Sequence, residues 1–244
     1  MQELEPDVIV HLVAAHFIPA VEGAPHTARE VNVGGTRRLL DALAERPPRV
    51  ILFASTAAVY PDRAGPIAET CTPAPTDLYG ETKLEGERLV SEFADRTGTQ
   101  CVIARIFNVI GTRETNPHVV PDLVTQLRNG VRTVRLGNLQ PRRDYTDVRD
   151  VATALRKLLS APSRDHGIFN VGSGRSTSVE ELVHTCEDVL NRSIDVEVEP
   201  RRARTRDRLE LVADVQLLRQ TTGWQPLRSL QETLDELLHA PESG

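Results

Sequence analysis

Tyr79 and Lys83 stand four residues apart in Tyr79-Gly80-Glu81-Thr82-Lys83, a spacing that puts both side chains on one face of a helix. A phenol is a poor base at neutral pH. An ammonium group one turn away favours the phenolate, which lets the tyrosine exchange a proton with a hydroxyl or a ketone. The bland alternative is an ordinary exposed helical pair, and the surroundings decide between the two. Upstream, Phe53-Ala54-Ser55-Thr56-Ala57-Ala58-Val59-Tyr60 reads as a strand that ends in hydroxyl residues. In an open α/β sheet that end is where ligands bind, although Ser55 and Thr56 could also be a simple strand-end cap. Arg143, and Arg204 within Arg201-Arg202-Ala203-Arg204-Thr205-Arg206-Asp207-Arg208, could form planar bidentate clamps on a diphosphate. A basic run of this kind is otherwise a solvated surface, and Arg206 is an alternate to Arg204.

Other features point away from chemistry. His11 and His16 have no carboxylate or cysteine partners at metal-ligand spacing, so structural or surface roles are expected and no metal site. Cys71, Cys101 and Cys186 are an odd set without C-x-x-C spacing, which suggests neither a disulfide framework nor a zinc knuckle and fits a reducing cytoplasm. Gly172-Ser173-Gly174 follows a strand but lacks a third glycine at phosphate-loop spacing, and Trp224 reads as a packing anchor.

The elements that must position these residues follow a βαβαβ rhythm. Val8 to Val13 is a continuous apolar run expected as a buried strand, and Thr27 to Ala44 carries helical spacing through Val31, Leu39, Leu40 and Leu43. Arg49 to Ser55 gives the next strand, Tyr79 to Thr97 a helix closed by Gly98, and Cys101 to Phe107 a third strand. Such alternation predicts a parallel sheet covered on both faces. After Gly111 the rhythm loosens. A helix over 119–129 and strands over 168–171 and 195–199 follow, with capping signals at Asp147 before Asp150, Ser178 before Glu181 and Ser229 before Glu232. The expected division is a first part over 1–111 that carries the candidate catalytic residues, and a second lobe over 112–244 with segments returning to the first sheet.

The order of these motifs resembles the NAD-dependent epimerase/dehydratase family of extended short-chain dehydrogenases, over nearly the whole chain. The strand ending in Ser55-Thr56 before Tyr79 and Lys83 is similar to the family's S-[ST]-x-x-V-Y strand before Y-x-x-x-K. The resemblance implies Thr56 as the hydroxyl that bonds the reacting oxygen, Tyr79 as acid/base, and Lys83 as its modulator and a ligand of the nicotinamide ribose. Pro6-Asp7-Val8-Ile9-Val10-His11-Leu12-Val13-Ala14-Ala15 resembles the family's fourth strand, where Ala14 and Ala15 let the cofactor approach the backbone, with Ser55 beside it. Arg105-Ile106-Phe107-Asn108-Val109-Ile110-Gly111 resembles the strand whose asparagine, here Asn108, contacts the nucleotide-sugar. Arg143-Asp144-Tyr145-Thr146-Asp147-Val148-Arg149-Asp150 resembles the R-D-[FY]-x-x-V-x-D motif at the lobe junction, and Phe169-Asn170-Val171-Gly172 has a family counterpart. An arginine ten residues before an Ala-Asp pair holds the diphosphate in the family, and Arg204 stands ten before Asp214.

The implied fold is a Rossmann-like doubly wound α/β sheet lacking its first βα units, with a smaller C-terminal α/β lobe. The implied cofactor is NAD or NADP, and the substrate a nucleotide-sugar. Dehydration is disfavoured, because Ala57 and Ala58 stand where the resembling 4,6-dehydratases carry acids after the catalytic threonine. A 4-epimerase or a 4-ketoreductase remains. Leu136-Gly137-Asn138-Leu139 and Thr222-Gly223-Trp224-Gln225-Pro226 resemble segments of enzymes acting on GDP-4-keto-6-deoxyhexoses. The glycine loop that cradles the pyrophosphate is expected about sixty residues ahead of Pro6, outside the 244-residue sequence. The rival expectation is therefore a non-catalytic remnant that binds a sugar nucleotide or a partner subunit. Helices over 27–44 and 79–97 are the implied homodimer pair. The net charge of -6, with basic residues spread among acidic ones, argues against nucleic acid, and no signal peptide or membrane span is read.

Overall fold

A computed structural model of the chain describes residues 5–114, 116–161, 167–202 and 208–240. Strand β1 (Val8–His11) leads through a loop into helices α1 (Ile18–Gly23) and α2 (Pro25–Arg29). A π turn at Glu30–Gly34 joins α2 without a break to α3 (Gly35–Leu43). Strand β2 (Val50–Thr56), helix α4 (Leu78–Thr97) and strand β3 (Gln100–Ile106) complete the first half. Asp77 caps α4 by accepting the Gly80 N–H at 2.8 Å, and Gly98 ends it with φ 75°.

The second half is a succession of shorter pieces. They are β4 (Asn108–Ile110), α5 (Val119–Arg128), β5 (Thr133–Leu136), β6 (Arg142–Arg143), β7 (Tyr145–Asp147) and α6 (Val148–Ser160). After them come β8 (Gly167–Val171), β9 (Thr177–Ser178), α7 (Val179–Leu190), β10 (Asp195–Val198), β11 (Glu210–Leu211), α8 (Gln216–Thr222) and α9 (Leu230–His239).

The main sheet runs β1-β2-β3-β8, parallel throughout. Its strands are apolar at successive positions because both faces are covered, and side chains alternate between the two covers. Ile51, Phe53, Cys101 and Ile103 meet Leu40, Leu43, Val90 and Phe93 of α3 and α4. Val50, Leu52, Val102 and Ala104 meet Val151, Ala154 and Leu158 of α6, with Leu218 and Trp224. This is the doubly wound parallel arrangement that the βα alternation predicts. A second core gathers α5, α7, α9 and β5 around Leu123, Leu182 and Leu234, the smaller lobe. A third patch of Val59, Tyr60, Ile67, Phe107, Ala213 and Val215 lies between the sheet's carboxyl end and that lobe.

Three local expectations change. β1 stops at His11, and Leu12 and Val13, read as strand, are 57% and 67% exposed. The helix expected over 27–44 begins earlier and contains the π turn, which an apolar spacing cannot reveal. Asp150 is not the reciprocal partner of a capping box. It accepts the N–H groups of Leu227 (3.1 Å) and Arg228 (2.9 Å) and so ties the chain ahead of α9 to α6. The boxes at Ser178–Glu181 and Ser229–Glu232 form as expected.

Candidate active site

Helix α4 comes unusually close to the end of β2, and glycine permits it. A Cβ on Gly80 would collide with the Ala58 carbonyl, and one on Gly86 would strike the Phe53 ring. The approach sets the Tyr79 side chain near that of Thr56, close enough for the hydroxyl to act on the phenol. Thr56 Oγ1 also accepts the Ala58 N–H at 3.2 Å, which fixes its rotamer. Burial pushes the Tyr79 phenol up to about 12; the Thr56 hydroxyl pulls it back and the Asp77 carboxylate adds to the rise. Lys83, one turn on, is 2% exposed, with Nζ 4.1 Å from the centre of the Phe53 ring. Burial brings its ammonium down to about 8, opposed by the charge of Glu87. His11 at the end of β1 is pushed down to about 4 by burial and then by the Lys83 charge, so it stays neutral at pH 7, bonded to Thr36 Oγ1 at 2.9 Å.

The loop after β1 is held beside this helix. Asn32, buried in the π turn, accepts the Ala15 N–H at 2.7 Å and donates to the Ala15 carbonyl (3.0 Å) and to Thr82 Oγ1 (2.9 Å). The extra residue of a π turn re-aims a side chain that a regular helix would send elsewhere. Ala14 and Ala15 therefore sit at the carboxyl edge of the sheet in a fixed relation to the turn between Tyr79 and Lys83. Ser55 does not face the same space as Thr56; its hydroxyl donates to Glu87 Oε1 at 2.5 Å.

Asn108 and Arg143 come together at the lobe junction, where the Asn108 N–H donates to the Asp144 carbonyl at 3.1 Å. Arg143 Nη1 donates to the carbonyls of Arg142 and Arg208, both at 2.8 Å. Arg204 and its alternate Arg206 lie outside the described residues. Arg208, a member of the same basic run, reaches the site. Its Nη2 donates to the Ala58 carbonyl (3.1 Å) and Thr76 Oγ1 (3.0 Å), and its Nη1 is buried without a hydrogen-bond partner among the described residues. Burial lowers its pKa first; Asp77 and Asp62 oppose this, and the nearby charge of Arg143 adds to the lowering. Two guanidinium groups near each other and next to the Thr56 turn form a place for a multiply charged anion.

Besides Arg208, spacing arguments passed over Asn32, Glu87 and Arg105. Two of these leave a signal in the sequence. Glu87 continues the Tyr79–Lys83 face by four residues, and Arg105 is a charge inside an apolar strand, which demands a buried partner. Asn32 between two valines is legible only once the π turn is known. Among the described residues no group of three His, Cys, Asp or Glu side chains could hold a metal ion, and no helix is long and apolar enough to cross a membrane.

Residues 1–172 match the model of the NAD dependent epimerase/dehydratase family. The chain is 30% identical over 251 residues to GDP-6-deoxy-D-mannose reductase of Pseudomonas aeruginosa, covering 98% of this chain and 81% of that one. It is 34% identical over 246 residues to a UDP-glucose 4-epimerase of Corynebacterium glutamicum, covering 93% and 74%. Among solved structures, RMD from Pseudomonas aeruginosa complexed with NADPH superposes with a TM-score of 0.87 at 28% identity, over 96% of this chain and 80% of that one.

Proposed function

The chain belongs to the NAD dependent epimerase/dehydratase family, and from that premise we propose that it changes C4 of a nucleotide-diphosphate sugar by 4-epimerisation or by reduction of a 4-ketone. The observation that carries the reading is the placing of Tyr79 beside the Thr56 hydroxyl at the end of β2, with Lys83 one helical turn behind. Thr56 and Tyr79 together hold the oxygen at C4. Tyr79 takes its proton when a hydroxyl becomes a ketone and returns it when the ketone is reduced. A bound nicotinamide cofactor supplies the site that accepts or donates the hydride. Ala14 and Ala15 fit such a group, since small side chains at the carboxyl edge of a parallel sheet leave the backbone approachable, and Asn32 holds the Ala15 peptide still. Lys83 would hold the ribose of that cofactor. No acid follows Thr56, where Ala57 and Ala58 stand, so loss of water from the sugar has no proton donor there.

Arg143 and Arg208 bind the diphosphate, with Asn108 beside them; the family order implies the same role for Arg204, which lies outside the described residues. The residues from 1 to 111 bind the cofactor, and those from 112 to 244 mainly the sugar nucleotide. Two copies associate through the faces around α2, α3 and α4, where Arg29 pairs with Glu81 and Glu85 across the helices. Light scattering of the purified chain tests this, and a monomeric peak contradicts it.

Titration of the purified chain with NADH and NADPH, followed by nicotinamide fluorescence, tests the main reading. Saturable binding in the micromolar range, with turnover of a GDP-, UDP- or dTDP-sugar, supports it. Stoichiometric consumption of reduced cofactor identifies the reductase, and interconversion of two sugars without net consumption the epimerase. Binding of a sugar nucleotide with no cofactor binding at millimolar concentration overturns it in favour of a non-catalytic binding role.

A further inference from the structure

Glu87 and Arg105 form an ion pair with side chains only 5% and 3% exposed. The guanidinium forks onto the carboxylate, Nε to Oε1 at 3.0 Å and Nη2 to Oε2 at 2.7 Å, and Ser55 Oγ adds a third bond to Oε1. Burial works against the Arg105 charge, but the bonds and charge of Glu87 outweigh it and raise its pKa. The guanidinium also lies 4.8 Å over the Tyr60 ring, whose hydroxyl donates to Asn170 at 2.7 Å. Apolar residues of the same volume would cost less to bury than this pair. Its position suggests a use, because Glu87 stands one turn beyond Lys83 on the inner face of α4.

The surroundings of Lys83 contain little else that is charged. Tyr79 and Glu87 face it from α4. From β1 comes His11, neutral at pH 7; from β2 the Phe53 ring and the Ser55 hydroxyl; from the π turn the uncharged amide of Asn32, through Thr82. Arg105 of β3 faces Glu87. Glu87 stands one turn from Lys83 on the same face of α4 and its charge opposes the effect of burial, while the Arg105 guanidinium on the far side of the carboxylate partly offsets it.

We propose that Glu87, clamped by Arg105 and Ser55, is a positioning residue for the proton exchange: it keeps Lys83 an ammonium ion at a fixed place behind Tyr79. Burial alone leaves that ammonium poorly supported, and its pKa of about 8 already lies close to neutrality with Glu87 present. Loss of the carboxylate would leave a large share of Lys83 uncharged at pH 7 and remove the group that favours the phenolate.

The inference rests on the reading of Tyr79 and Lys83 as an acid–base pair, yet its test needs no turnover. The sequence contains two lysines, Lys83 and Lys157, so the chain labelled with 13Cε-lysine gives two titrating resonances. Lys157, on α6 with Nζ 3.3 Å from the Thr222 carbonyl, is the internal control. Glu87→Gln is expected to lower the Lys83 midpoint by about one pH unit or more, leaving Lys157 in place, while Glu87→Asp keeps the Lys83 midpoint near that of the parent. Because Glu87→Gln strands a buried arginine, the paired Glu87→Gln, Arg105→Gln chain is measured too, and a smaller fall in the same direction is expected. An unchanged Lys83 midpoint in either folded variant overturns the proposal, as does unfolding of both, which would assign the pair to the core alone. Failure of NADH and NADPH to bind while the midpoint still falls sinks only the catalytic reading.

Discussion

Burial holds Tyr79 neutral at the place where the proposed reaction needs it to give up a proton, and the Thr56 hydroxyl of β2 works against that burial. Tyr79→Phe is therefore expected to lower kcat by about two to four orders of magnitude, while NADPH affinity stays within about threefold of the parent; equal losses in both would place the phenol in cofactor binding. His11 gives a second prediction at this scale. Its pKa falls from 6.5 in the unfolded chain to about 4 in the folded one. Between those values the unfolded state binds the extra proton, so stability is full above about 6.5 and declines as pH falls toward 4. Urea unfolding across that window should show a smaller pH slope for His11→Gln than for the parent; equal slopes would mean that His11 does not carry it. Tyr79, Lys83 and Thr56 were legible in the sequence because their relation is local, a helix turn or a strand end. Glu87 and Arg105 are 18 residues apart and on different elements, so only the fold brings them together.

The element that matters most to the site is α4, seated on β2 through two glycines. Gly80→Ala should drive the first turn of α4 off the Ala58 carbonyl and cost about 1–3 kcal/mol of stability. Tyr79 should move away from Thr56 before the helix melts, so the variant is expected to lose turnover with its far-UV circular dichroism intact. Retained turnover would show that the close approach is not needed. The strands and helices of the first half were readable from apolar runs and caps, within a residue or two at α4, β2 and β3. The π turn and the early end of β1 were not, because both depend on what Asn32 reaches across space rather than on periodicity. The short strands β9 and β11 carry no apolar pattern of their own and exist only through their pairing with β6.

At the scale of the whole molecule, the sequence announced a parallel sheet and a second lobe but not how they are joined. Asp144, fully buried, makes much of the join. Its carboxylate accepts the N–H groups of Ser173 (2.7 Å), Gly174 (2.9 Å) and Ala213 (3.1 Å) and the Ser173 hydroxyl (2.6 Å). Its own N–H donates to the Leu211 carbonyl, and its carbonyl accepts from Asn108. One residue thus fastens three segments at a single point, those after β8 and β11 by its side chain and the start of β4 by its main chain. The consequence is cooperativity: heat should melt the two cores together, in one calorimetric transition. The single tryptophan makes this measurable, since Trp224 is buried against the main sheet with its indole N–H on the Asp150 carbonyl at 3.1 Å. Its fluorescence follows the sheet, while far-UV circular dichroism follows both cores. In the parent the two signals are expected to share one midpoint, and in Asp144→Ala to separate into two. A variant that still melts as a unit would mean that the lobes are coupled by their packing, and that the knot at Asp144 merely sets their alignment.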